Sequence, residues 1–159
     1  MQLESTRFGS IEVRDDAALE FPDGLIGMPD RQWVLLEHDD TPFYWLHSLN
    51  DANLALPVTN PWTFFLDYEV KISDEDTRKL GIESPEHATV LCVVRASDSL
   101  ADFSVNLVGP IVVHSVTRVG GQFINEIGGY NVRQPLFSEV ELPDVQPATN
   151  AVLVAAVVA

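Results

Sequence analysis

Residues 73–81 carry the marks of a helix, and nearly everything else is cut by proline and glycine into short strand-like runs. That division points to an all-β architecture. In the helical segment Ser73 is placed to cap, Asp74, Glu75 and Asp76 fill the first turn, and Arg78 and Lys79 the last. Acid first and base last complements the helix dipole, and Gly81 supplies the stop. The pattern predicts a helix of about two turns over residues 74–80. Elsewhere residues 11–14 alternate behind a turn at Phe8-Gly9-Ser10. Residues 68–73 alternate with Tyr68, Val70 and Ile72 inward, and Phe103, Val105 and Leu107 form another inward set. Residues 89–94 and 111–116 are apolar almost throughout, as in strands covered on both faces. Gly120-Gly121 reads as a hairpin turn joining residues 116–119 to 122–127. Pro22, Pro29, Pro42, Pro61, Pro85 and Pro110 fall between the runs, where no ladder hydrogen bond is lost. A second short turn is expected near Ser84-Pro85-Glu86. The expected fold is a small antiparallel β-barrel or barrel-like sandwich with one short helix.

At 159 residues the chain suits one domain with one core. Residues 1–136 are expected to form the β domain and residues 137–159 a C-terminal extension, strand or flexible tail. Within it, residues 142–150, with Pro143 and Pro147, look like a connection. Residues 151–159 are strongly apolar but short of the ~20 that a membrane-spanning helix needs; a last strand, a packed tail and a sticky end are all compatible with them. Acidic residues outnumber basic ones by 24 to 9, a formal charge of −15. Such a field repels phosphate backbones, which argues against direct nucleic-acid binding. It steers basic partners, or serves solubility alone. Met1-Gln2-Leu3-Glu4 offers no signal-peptide pattern, and the single Cys92 can form no disulfide within the chain. These features are those of a cytoplasmic chain without a membrane association.

Enzyme motifs are missing: there is no Gly-x-Ser-x-Gly elbow, P-loop, dinucleotide fingerprint or His-Glu-x-x-His. Cys92 sits in an apolar run without a neighbouring histidine and reads as a buried strand thiol rather than a nucleophile. Among His38, His47, His87 and His114, only His38-Asp39-Asp40 clusters ligand-type groups. Adjacent strand residues point to opposite faces, so a solvated acidic turn before Pro42 is the better reading than a metal site. A carboxylate enzyme built on Asp39, Asp40 and Asp67 lacks any plausible spacing. No catalytic residue, metal or cofactor is therefore expected. Asp15-Asp16 reads as a solvated hairpin end.

Two stretches stand apart. Phe21-Pro22-Asp23-Gly24-Leu25-Ile26-Gly27 is a turn built from Pro, Asp and two Gly, holding Leu25 and Ile26 between them. Pro42-Phe43-Tyr44-Trp45-Leu46 places three aromatic residues in a row. On a strand Phe43 and Trp45 share one face, Tyr44 and Leu46 the other. Either both faces are buried, the usual fate of large apolar side chains, or some form a protein-binding patch. Trp62, Phe64 and Phe65 pose the same question. A general cytoplasmic β-sandwich module that binds peptide or carbohydrate on Tyr44, Trp45 and Trp62 is the alternative.

Taken in order, Phe8-Gly9 with Ile11-Glu12-Val13, the Phe21–Gly27 turn, Pro42-Phe43-Tyr44-Trp45-Leu46 with Ser48, Phe64-Phe65-Leu66-Asp67-Tyr68-Glu69-Val70, Asn106-Leu107-Val108-Gly109-Pro110-Ile111, Arg118 with Gly121-Gln122, and Tyr130 to Leu136 resemble the FliW family of flagellar assembly factors. The chain departs at Met28, where Phe is expected, His47 for Gln, Gly109 for Ala and His114 for Asn. The resemblance implies a non-enzymatic protein with two partners: flagellin held before export, and CsrA, a dimeric regulator that represses flagellin translation. It implies partner switching, in which flagellin occupies the protein until exported, and the freed protein then binds CsrA and relieves repression. The acids Asp15, Asp16, Glu20 and Asp23 are the expected charged contacts, and Phe43, Tyr44 and Trp45 the apolar anchors. Exposed members of the 25–28 and 43–46 groups are expected to line a groove for an apolar helix.

Overall fold

The computed structural model describes residues 1–137 and 153–158. In chain order its strands are β1 (Gln2–Ser5), β2 (Gly9–Glu12), β3 (Leu19–Glu20), β4 (Gln32–His38), β5 (Phe43–Ser48) and β6 (Ala55–Thr59). After the helix α1 (Asp74–Leu80) come β7 (Ala88–Arg95), β8 (Ser104–Val105), β9 (Ile111–His114), β10 (Gly120–Gln122), β11 (Gln134–Pro135) and β12 (Val154–Val158). Single 3-10 turns cover Pro61–Thr63, Pro85–His87 and Leu100–Asp102.

Strand β4 is the hub, and its burial shows why. Trp33 and Leu35 point into the central core with Phe21, Tyr44, Leu46, Leu91 and Ile111. Val34 and Leu36 point the other way and are covered by Leu3, Val13 and Ala17 from the β1–β2 hairpin and its exit. A strand apolar on both faces thus holds two layers together. From β4 the sheet runs through β5, β6, β7 and β9 to β10 by antiparallel pairing. The other edge of β4 is shared: β3 pairs antiparallel with its start and β12 parallel with its end. The sheet curls without closing into a continuous ladder. One isolated bridge, Glu20 to Val119, spans its ends, and the Glu20 N–H donates to the Arg118 carbonyl at 2.9 Å. The result is barrel-like, with the hairpin β1–β2 as a second layer.

Helix α1 matches the sequence pattern. The Ser73 side chain accepts from the Asp76 N–H, and Gly81 ends the helix at φ 68°. Leu80 is its buried anchor, packed with Val90 and Val112 on the outer face of β7 and β9. The expected turn near Pro85 is the 3-10 turn Pro85–His87.

Two strand expectations are corrected. Residues 68–73 keep the alternation, with Tyr68 buried and Glu69 exposed, yet form no ladder strand. The Asn125 side chain takes the place of a neighbouring strand: its Oδ1 accepts from Lys71 N–H at 3.0 Å and its Nδ2 donates to the Glu69 carbonyl at 2.8 Å. Side-chain amides that copy backbone pairing leave no periodicity in the sequence. The second correction concerns Gly120-Gly121, which lies within β10 rather than at a turn. The reversal comes earlier, at residues 115–118, where the His114 N–H donates to Val119 O and the Arg118 N–H to His114 O, both at 2.9 Å. Glycine is needed at 120 for proximity: a Cβ there would lie 2.4 Å from Val112 O and 3.0 Å from Cε1 of Phe21.

Candidate partner-binding surface

The loop after β3 is built from two stacked turns. Phe21 is fully buried, and Gly24 N–H donates to its carbonyl at 2.8 Å, closing a turn over Pro22-Asp23. Leu25 and Met28 then exchange two backbone hydrogen bonds at 2.8 and 2.9 Å around Ile26-Gly27. Gly27 takes φ 80°, as a two-residue reversal of this kind requires. Gly24 has no room for a side chain, since a Cβ would meet Met28 O at 2.6 Å. The motif therefore buries Leu25 and lifts Ile26 to 60% exposure. Gln122 holds that tip: its Oε1 accepts from Ile26 N–H at 3.0 Å and its Nε2 donates to Gly109 O at 2.9 Å. Gly109 leaves space for this amide, because a Cβ would sit 3.3 Å from Gln122 Nε2 and 3.1 Å from Asn106 Nδ2.

Beside the tip lies a depression of about 290 Å³. Leu25, Met28, Leu56 and Val93 line it, with Ile26, Val132, Arg95 and Arg133 at its sides. A larger apolar depression of about 550 Å³ lies between α1 and the outer face of β7–β9, lined by Val70, Ile72, Ile82, Val90 and Val112.

The aromatic triplet is divided by the strand that carries it. Tyr44, only 3% exposed, lies in the central core and offers no surface. Phe43 is half-buried on the opposite face and packs against Phe64 and Phe103, with ring centroids 6.0 and 6.1 Å away. Trp45 leans on Phe8, 5.6 Å edge-on, beneath the Arg7 guanidinium at 4.5 Å. Its Nε1 is buried with no hydrogen-bond partner among the described residues. Trp62, Phe64 and Phe65 are also partly buried, packed around Tyr68 and Phe137. Neighbours remote in sequence, the β1–β2 hairpin and the 62–65 and 103 loops, decide these fates.

The four expected acidic contacts come from one segment but differ in setting. Asp15 and Asp16 are exposed on the turn after β2. Asp15 accepts from the Met1 ammonium at 2.7 Å, which holds its carboxyl below the ordinary range through that hydrogen bond and then through charge. Asp16 faces the Arg14 Nε at 3.9 Å. Glu20 is half-buried in β3 opposite Gln32. Asp23 is exposed on the Pro22–Gly24 turn and has no ion-pair partner among the described residues.

The buried polar groups read as structural. His47 is enclosed, with Nδ1 2.7 Å from Ser48 O and Nε2 2.8 Å from Ser5 Oγ. His114 Nδ1 accepts from the N–H groups of Val116 and Thr117, the service an Asn carbonyl performs in such a turn. Burial pushes the Cys92 thiol up to about 12, far from a nucleophile's range. Among the described residues no group of three or more His, Cys, Asp and Glu is arranged to hold a metal ion. No helix among them is long and apolar enough to cross a membrane.

Arg95 and Arg133 escaped sequence reasoning. One ends an apolar strand and the other sits in an irregular stretch, 38 positions on. Only the pairing of β8 with both β7 and β11 brings them to one place. No local signal encodes that.

This arrangement of loops has relatives. Residues 2–136 match the family model described as FliW protein. A flagellar assembly factor FliW of Natranaerobius thermophilus is 33% identical over 142 residues, covering 87% of this chain and 94% of that one. Another, from Desulfitobacterium hafniense strain Y51, is 34% identical over 143 residues, covering 89% and 94%. A crystal structure of the flagellar assembly factor FliW superposes with a TM-score of 0.82 at 27% identity, covering 89% of this chain and all of that one. Fold and sequence agree over most of the length, and the chain belongs to the FliW family.

Proposed function

We propose that this protein is a non-enzymatic flagellar assembly factor that binds flagellin and the translational regulator CsrA in alternation, in the cytoplasm. Membership of the FliW family is the observation that carries the reading. The charge of −15 supports it, because a regulator that must hold RNA presents basic surface, and the acidic field draws such a partner in. Partner switching requires only two mutually exclusive affinities and no chemistry at a bond. Asp15, Asp16 and Asp23, exposed on two successive turns, are the contacts assigned to CsrA, with Glu20 between them. Of the aromatic anchors, Phe43 and Trp45 keep partial exposure, whereas Tyr44 is buried in the central core. The test is calorimetry with CsrA from the same organism at two salt concentrations. The D15K/D16K/D23K variant should bind about tenfold or more weakly and lose most of the salt dependence. Unchanged affinity and salt slope would remove this patch from the interface.

A further inference from the structure

The depression beside Ile26 combines an apolar floor with two exposed guanidiniums at its sides. The β6–β7 ladder stops at Val58 opposite Val93. The next β6 residue outward, Pro57, has no N–H to continue it, and β7 turns its last residues to β8 instead. Leu56 and Val93 are thereby left as an open apolar floor. Ile26 and Val132 stand at its rim, 60% and 59% exposed. Arg95 and Arg133 flank it, both exposed, and neither meets a carboxylate within 4.0 Å among the described residues. On a chain with 9 basic residues against 24 acidic ones, two guanidiniums at one apolar groove make a local concentration of positive charge. The rim is also preset, since Gln122 ties the Ile26 turn to Gly109; a fixed rim lowers the ordering cost of binding.

We propose that this groove seats a protein segment whose apolar side chains lie between carboxylates, the carboxylates pairing with Arg95 and Arg133. Guanidinium forks suit carboxylates, and the groove's apolar floor suits the side chains between them. The inference rests on the functional reading above and deepens it: the apolar partner, flagellin, takes this groove, while the basic partner takes the acidic turns. Ile26 belongs to the same loop as Asp23, three residues away, so one loop serves both surfaces. Occupancy of the groove by one partner then crowds the other without an extended structural change.

The test uses fluorescently labelled flagellin from the same organism as the probe, with the full chain and its R95E/R133E and I26D variants. Each variant should weaken flagellin binding about tenfold or more while CsrA affinity stays within about twofold. Flagellin affinity of the parent should fall with salt, and R95E/R133E should lose that dependence. Should a charge reversal disturb folding, R95Q/R133Q gives the same comparison with a milder change. Variants that bind flagellin as the parent does, with the same salt slope, overturn the groove and leave the partner reading standing. A parent that binds no flagellin overturns both. Loss of CsrA binding in place of flagellin binding assigns the groove to the other partner and overturns this inference.

Discussion

Replacing Gly120 with alanine should be among the most damaging single-methyl additions to this protein. The added Cβ would stand 2.4 Å from the Val112 carbonyl oxygen, 2.9 Å from Cγ2 of Val113 and 3.0 Å from the Phe21 ring. Ordinary C···O contact begins near ~3.3 Å, so the β9–β10 pair must part by about 0.9 Å or bend. The obstruction is a backbone carbonyl in the ladder between Gly120–Gln122 and its partner, and no rotamer change relieves it. Overpacking of this kind costs about 1–3 kcal/mol and more where backbone must move. Alanine recovers ~0.4–1 kcal/mol by restricting the unfolded chain, so with backbone forced to move the net loss is about 2 kcal/mol, from the upper end of that range. For a chain of this size that lowers Tm by about 4–8 °C, readable by calorimetry or circular dichroism. The control is Gly128→Ala, where a Cβ would meet nothing within 4 Å and φ is not positive; its Tm should stay within about 2 °C. Gly121→Ala should fall between, because its obstacle is the Phe123 ring, a side chain able to swing away. A Gly120→Ala protein as stable as the Gly128→Ala control would refute the close-approach argument and return the glycine pair to a turn role.

Asn125→Ala should lower stability by about 2–4 kcal/mol in urea titration, since it strands the Lys71 N–H and the Glu69 carbonyl together. A loss below about 1 kcal/mol would mean that water replaces the amide. Stability should also fall at alkaline pH. Burial raises the Cys92 thiol from 9.0 to about 12 and the Tyr44 hydroxyl from 10.0 to about 12, and it raises Tyr68 as well. The unfolded chain then releases these protons first, so the folded state binds more of them and the stability they contribute, complete below pH 9, drains away toward pH 12. Denaturant midpoints measured from pH 8 upward check the sign, and a midpoint constant to pH 11 would contradict it.

How much of this could be read from residues alone depended on where the deciding contact lay. Helix α1 was legible to the residue because Ser73, Asp74–Leu80 and Gly81 carry cap, dipole and stop within one local window. Strands β7 and β9 announced themselves by continuous apolar runs, since both faces are covered. The 68–73 segment misled because its inward alternation is real while its hydrogen-bond partner is a side chain 54 positions away from Lys71. Gly120-Gly121 misled because glycine serves turns and close approaches alike, and only the Phe21 ring and the β9 carbonyl tell them apart. At the surface, the Phe21–Gly27 turn was legible as a motif, and so was the alternation of Phe43 and Trp45 against Tyr44. What covers each aromatic ring was not, because Phe8, Phe64 and Phe103 arrive from three separate stretches of chain. Arg95 and Arg133 become neighbours of one groove only through a three-strand pairing.

The measurement that bears most directly on the account is calorimetric titration of this protein with CsrA from the same organism, before and after saturation with flagellin. Partner switching predicts tight CsrA binding by the free protein and its loss once flagellin is bound. CsrA binding that flagellin leaves unchanged would contradict it, as would a protein that binds neither.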